Sequence, residues 1–272
     1  MNDMISKQMI QSVQGKRIRD FSHENFYKGE RPLSYTVVFD SLDKIPGTAV
    51  VKADSNTLFL DNGYVVTFGY DNGGMRYFAD SSQVEAMKAN QKFITGGFLF
   101  RFDFEDHSCL VITNNSWTGS FKALPQAEYK PSDKLNPFDP DGFSFAAFKP
   151  HFQKNTAVIA VCATANGFMD VERGIIHEAL FESGIHPKIK ASKLSAGEVE
   201  CLYLAIRNIT KYSRASGGLS GAVDLYGQTG SYEYRISTKT VGRPCPVCGT
   251  NIEKGSAFGS SIFYCPICQA VK

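Results

Sequence analysis

From residue 33 to residue 123 the chain alternates short apolar runs with turn residues. Three such runs are Ser34-Tyr35-Thr36-Val37-Val38-Phe39, Gly63-Tyr64-Val65-Val66-Thr67-Phe68 and Phe98-Leu99-Phe100-Arg101-Phe102-Asp103-Phe104. Runs of this length, rich in β-branched and aromatic residues, suit strands with one face buried. Asp61-Asn62-Gly63 and Asp71-Asn72-Gly73-Gly74 fall between such runs, and Asn and Gly readily take the positive φ that tight hairpins need. An antiparallel sandwich or barrel is therefore expected as an N-terminal domain over residues 1-123. A helix from about Met4 to Gln14, ended by Gly15 as its C-cap, should precede it. Residues 124-142 carry Pro125, Pro131, Pro137 and Pro140 among polar neighbours and read as an interdomain linker.

From Phe143 the apolar spacing turns helical, as in Ile175-Ile176-His177-Glu178-Ala179-Leu180-Phe181 and Val199-Glu200-Cys201-Leu202-Tyr203-Leu204-Ala205-Ile206. Ser195 with Glu198 three residues on is a capping-box signature for the second of these helices. His186-Pro187 reads as a turn element, and Leu225 to Gly230 as the exit from a helical domain over residues 143-234. The fold class expected is α+β.

A chain of 272 residues with 43% hydrophobic composition can build two cores, which excludes a disordered or fibrous protein. Its net charge of +2 means that any surface for a polyanion must be a local patch. Met1 to Gln8 is polar, and no run of about eighteen apolar residues occurs. No membrane partner and a cytoplasmic location are expected. Cys109, Cys162 and Cys201 lie in apolar segments and are expected to be buried, reduced thiols. His107, His151, His177 and His186 do not fall at metal-ligand spacing with acids, and neither a glycine-rich phosphate loop nor a G-x-S-x-G elbow is present.

Residues 235-272 hold the one strong motif. Cys245-Pro246-Val247-Cys248-Gly249 and Cys265-Pro266-Ile267-Cys268 form C-x2-C-x16-C-x2-C. That spacing lets two knuckles bring four thiolates to one ion, on a β-hairpin expected to close between Gly255 and Gly259. One structural zinc is the expected cofactor; iron is the alternative for the same ligands, and two disulfides do not suit a reducing compartment. Four protein ligands leave no open position to activate water, so the site serves folding and presentation. Arg235, Lys239, Arg243, Lys254 and Lys272 stand against the single acid Glu253, a local excess that suits phosphates.

The hairpin resembles that of the formamidopyrimidine-DNA glycosylase and endonuclease VIII family, which ends in C-x2-C-G…Y-C-x-x-C-Q; here the second half is Tyr264-Cys265-Pro266-Ile267-Cys268-Gln269. The match extends to Glu178-Ala179-Leu180-Phe181-Glu182-Ser183-Gly184-Ile185-His186-Pro187 with Leu194-Ser195, which resemble the family's helix-two-turns-helix module, and to Tyr226-Gly227-Gln228-Thr229-Gly230, which resembles the lead-in to the hairpin. The resemblance covers most of residues 165 to 272. It implies a base-excision-repair DNA glycosylase and AP lyase type of protein, monomeric, that holds double-stranded, damaged DNA in the cleft between its two domains. Basic residues on the resembling segments, Lys188, Lys190, Arg243 and Lys254, are the expected phosphate contacts.

At several positions the chain departs from the family pattern. The family's nucleophilic proline and the glutamate after it are not found at Met1-Asn2-Asp3-Met4, which leaves only the Met1 amine and Asp3 for their roles. Ser260 stands where the family places a phosphate-holding arginine, and Arg173 where it places a phosphate-gripping asparagine. Trp117 is the one residue of the loop Ser116 to Phe121 able to wedge into DNA. Three readings follow: a DNA-binding member whose excision activity is lost, an active enzyme whose true start lies upstream, and a zinc-stabilised interaction module without a DNA role.

Overall fold

The computed structural model describes residues 2–25, 36–54, 56–70, 73–89, 98–114, 118–139, 141–163, 167–169 and 171–271. Two compact units result, Met1–Pro131 with Gly221–Gly230, and Ser132–Ser220 with Ser231–Lys272.

The first unit runs α1 (Asn2–Val13), β1 (Ile18–Asn25), β2 (Thr36–Asp40), β3 (Val50–Asp54), β4 (Thr57–Leu60), β5 (Tyr64–Tyr70), β6 (Gly73–Phe78), α2 (Gln83–Ala89), β7 (Phe98–Phe104), β8 (Cys109–Asn114) and β9 (Thr118–Pro125). Gly15 follows α1 at φ +84, the left-handed stop expected of it. One sheet has the order β1-β7-β8-β6 and the other β2-β9-β5-β4-β3. The sheets are antiparallel with one exception: β2 runs parallel to β9. A parallel pair needs a long crossover, and β3 to β8 with α2 lie between these two strands.

The two-residue period of β7 points Phe100, Phe102 and Phe104 into a core shared with Leu58, Val66, Phe68 and Phe121 of the other sheet. The Phe100 and Phe121 rings stack at 4.3 Å. On the opposite face of β7, Leu99 packs with Cys109, Val111 and Val84 of α2. Asp61-Asn62-Gly63 makes the β4–β5 turn, with Gly63 at φ +80 and the Asn62 side chain accepting from the Tyr64 N–H at 3.1 Å. β5 and β6, which flank the second expected hairpin at residues 71–74, lie in different sheets. Asp71 and Asn72 lie outside the described residues.

Gly221–Gly230, expected in the helical domain, is instead built into the sheet unit. Asp224 accepts from Gln8 Nε2 at 2.8 Å, Gln8 accepts from the Leu225 N–H at 3.0 Å, and the Leu225 carbonyl accepts from the Tyr77 N–H at 2.8 Å. Leu225 itself is fully buried in the sandwich core.

The second unit contains α3 (Phe145–Phe148), α4 (Val158–Ala163), α5 (Arg173–Glu182), α6 (Ala196–Ala215), β10 (Glu253–Ala257) and β11 (Ser260–Tyr264). The Ser195 capping box opens α6 as expected, with the Glu198 N–H donating to Ser195 Oγ at 3.2 Å and the Ser195 N–H donating to Glu198 Oε2 at 2.8 Å. The stretch expected to be a linker is partly core here. Phe138 is buried with Phe143 and Phe148, the Thr210 hydroxyl donates to the Pro137 carbonyl at 3.4 Å, and Arg214 donates to the Phe138 carbonyl at 2.7 Å. Cys109 and Cys162 are buried as expected, but Cys201 is exposed: the period of α6 turns it to solvent while Leu202 and Tyr203 face the core.

Candidate metal centre and anion-binding residues

Each cysteine pair flanks one strand of the β10–β11 hairpin. Backbone geometry builds both knuckles. The Gly249 N–H donates to the Cys245 carbonyl at 2.9 Å, and the Gln269 N–H does the same to Cys265 at 3.0 Å. Gly249 takes φ +76, a left-handed turn that glycine makes without strain. The Val247 and Cys268 N–H groups point at the Cys245 and Cys265 sulfurs, at 3.5 and 3.4 Å. The hairpin closes at Phe258-Gly259, within the expected stretch Gly255 to Gly259, and Gly255 itself pairs with Ile262 inside β10.

The four thiol sulfurs lie within 4.8 Å of one another. Cys245 and Cys268 are 3.8 Å apart, and Cys248 and Cys265 are 3.4 Å apart. A tetrahedral ion with ~2.3 Å bonds to sulfur requires edges of about 3.8 Å, so these residues fit a metal ion. Hydrogen bonds from Thr250 hold the Cys248 thiol down at about 6, whereas burial and the neighbouring thiols push Cys265 and Cys268 up. Four thiolates in this space repel one another, and a cation removes that conflict.

Gln269, fully buried, ties the centre to the helices. It accepts from the Cys265 N–H at 3.0 Å and donates to the Ile185 carbonyl, just after α5, at 2.8 Å. Gly184, at φ +64, sits beneath it, and a Cβ there would meet the Cys268 carbonyl at 3.3 Å. Gln269 closes the C-x-x-C-Q motif of the sequence, but no local pattern indicated its burial or its partner Ile185.

Arg235 differs from its expected role as a phosphate contact. It pairs with the fully buried Glu178 and, at 2.8 Å, with Glu182, and its guanidinium lies 5.3 Å over the Phe181 ring. Glu178 also accepts from the Ile236 N–H at 3.2 Å. A buried carboxylate needs such a partner, and no spacing rule connects residues 178 and 235.

Arg173 lies in the first turn of α5, half-buried. Its Nε and Nη2 are buried with no hydrogen-bond partner among the described residues, and burial lowers its pKa. Beside it, His177 is 2% exposed and its Nε2 likewise lacks a partner. Burial, then the charge of Arg173, push that imidazole down to about 4. Gly174 completes the helix start: an added Cβ would fall 2.4 Å from the Tyr234 ring. The Tyr234 hydroxyl donates to Glu172 at 3.4 Å.

Lys188, Lys190, Arg243 and Lys254 are exposed, and none has an ion pair among the described residues. Lys188 and Lys190 line a cavity of about 340 Å³ together with Lys193 and Leu194. Arg243 and Lys239 line another, of about 450 Å³, with Tyr232 and Tyr234. Lys254 is on β10 opposite Phe263. Ser260 begins β11 opposite Ala257 and is half-buried. His186 is a turn element, its Nδ1 accepting from the Lys188 N–H at 3.2 Å. Trp117 and Met1 lie outside the described residues.

The chain thus combines a sheet unit with a helical unit whose hairpin gathers four cysteines that could hold a metal ion. No protein-family model matches the chain. Among curated proteins it is similar to a formamidopyrimidine-DNA glycosylase of Chloroflexus aggregans, 26% identical over 79% of this chain and 77% of that protein. It is also similar to the protein of that name from Listeria innocua, at 30% identity over 62% and 64%, and to that from Pelotomaculum thermopropionicum, at 37% over 35% and 36%. The chain thus spans about a third of the Pelotomaculum protein. Among solved structures, MutM (Fpg) of Thermus thermophilus shares the fold with TM-score 0.76 and 18% identity, covering 98% of this chain and 96% of that one. Lactococcus lactis Fpg in complex with DNA containing N7-benzyl-Fapy-dG matches with TM-score 0.76 and 16% identity, over 99% and 98%. These relatives and the shared fold support membership of the chain in the formamidopyrimidine-DNA glycosylase and endonuclease VIII family. Among the described residues, no helix is long and apolar enough to cross a membrane.

Proposed function

We propose that this protein binds duplex DNA, damaged DNA included, as a monomer through its second unit, with one structural zinc in the Cys245, Cys248, Cys265 and Cys268 centre. Arg173 carries the reading. A guanidinium with two buried, unpartnered nitrogens in the first turn of a helix is costly by itself. A phosphate oxygen would satisfy the nitrogens and the helix dipole together. Lys188, Lys190, Arg243 and Lys254 add exposed positive charge in the same unit. Thiolate ligation alone suits zinc and iron alike, and zinc is favoured because the hairpin resembles that of a family whose hairpin holds zinc.

Gel retardation of a duplex carrying an abasic-site analogue, over a series of salt concentrations, tests this. Affinity should fall steeply with salt, and Lys254→Gln and Arg173→Gln should each flatten the logarithmic slope by about one unit. Binding that ignores salt, or no binding at low salt, would exclude a DNA role and favour a zinc-stabilised interaction module. Elemental analysis distinguishes the metals.

Excision is expected to be weak. Ser260 presents a neutral hydroxyl where the resemblance implies a phosphate-holding arginine, and a charge-assisted contact is roughly twice as strong as a neutral one. Borohydride trapping on abasic duplex measures this. Efficient trapping by the chain as it stands would overturn the expectation, and Ser260→Arg should raise whatever trapping occurs.

A further inference from the structure

Phe258 plays no part in the metal centre or the basic surface. It is the first of two residues that turn the β10–β11 hairpin, between the paired Ala257 and Ser260. Phe258 has φ +52 and Gly259 φ +71. A two-residue turn with both central residues at positive φ selects Asn or Gly at the first place, because a side chain's Cβ crowds the carbonyl there. A phenylalanine held in that region would ordinarily be kept by packing of its ring. This ring is 60% exposed and stacks on no other ring among the described residues.

Strain that no internal contact repays points to an external partner. From Gly255 to Tyr264 the hairpin has no charged residue, so its tip cannot hold a phosphate by charge. What it offers is one aromatic face at the end of a two-stranded ribbon. Lys254, on the strand that leads to the tip, supplies attraction to the backbone.

We propose that Phe258 is a stacking probe that inserts against a nucleobase where a duplex is unstacked, so that the protein favours DNA with a gap in its base stack over intact duplex. Ribbons of this width enter a DNA groove, and apolar side chains wedge between bases at steps that open easily. The inference rests on the duplex-binding reading above.

Phe258→Asn separates a binding role from a structural one, because asparagine suits the turn. The variant should melt slightly higher, by about 2 °C, while its preference for duplex with an abasic gap over intact duplex falls about tenfold, the loss of one base–aromatic stack. Phe258→Trp should keep the preference. 2-Aminopurine placed opposite the gap should change emission with the unmodified protein and not with Phe258→Asn. A Phe258→Asn protein that keeps the preference within twofold overturns the proposal, and so does a Phe258→Trp protein that loses it. Failure of the unmodified protein to bind either duplex overturns the functional reading and this inference with it.

Discussion

The two units of the chain solve the same problem with different materials. In the first, Phe100, Phe102, Phe104, Phe68 and Phe121 fill one continuous apolar layer. In the hairpin of the second, a small cluster of Phe181, Ile236, Ile252 and the buried cysteines, with Phe263 against it, stands beside a single fully buried hairpin residue, Ile262, that joins the helical core. Too little apolar surface is buried there to order some thirty residues, since each ordered residue costs about 1–2 kcal/mol of backbone entropy. Four cysteines poised for an ion, and the pairing of the buried Glu178 with the exposed Arg235, supply what burial does not. The sheet unit should therefore yield gradually to single changes, and the hairpin abruptly.

The largest test of that contrast is metal removal. Chelation, or Cys265→Ala, should lose the single metal by elemental analysis and abolish hairpin structure, a binding term on the order of 10 kcal/mol. The first unit's melting transition should persist. A single shared transition that moves with metal would show that the units are energetically one body and break the comparison. In the sheet core, Phe121→Ala should cost about 4 kcal/mol, read as a drop in the urea midpoint with metal content unchanged. Removing the cation by Arg235→Ala leaves Glu178 charged and fully buried, at about 3 kcal/mol. That loss should appear in the second unit's transition, and Arg235→Lys should restore only part of it.

The smallest effect is a pH dependence confined to the second unit. His177 is held down at about 4 in the fold against about 6.5 unfolded. Its contribution is complete above pH 6.5 and is lost as pH falls toward 4, because the unfolded chain takes up the proton first. By pH 5 the second unit should have lost about 2 kcal/mol, and His177→Leu should flatten that slope. An equal slope in the leucine variant would assign the acid sensitivity to other groups.

Local patterns determined a good deal here, because their physics is local. The alternation in β7, the Asp61-Asn62-Gly63 turn, the Ser195 capping box and the spacing of four cysteines each depend on residues a few places apart. Hydrogen-bond geometry and rotamer sterics act at that range, so the sequence alone implied strands, helix start and metal hairpin. What only the tertiary structure decided involves distant partners. It turned Arg235 from a surface cation into the counter-ion of Glu178, 57 residues away. It made Gln269 the strut between the metal knuckle and α5, and moved Gly221–Gly230 into the sheet unit through Gln8 and Leu225. Burying a charge or an amide is tolerable only when a specific partner arrives with it, and which partner arrives is set by how the whole chain packs.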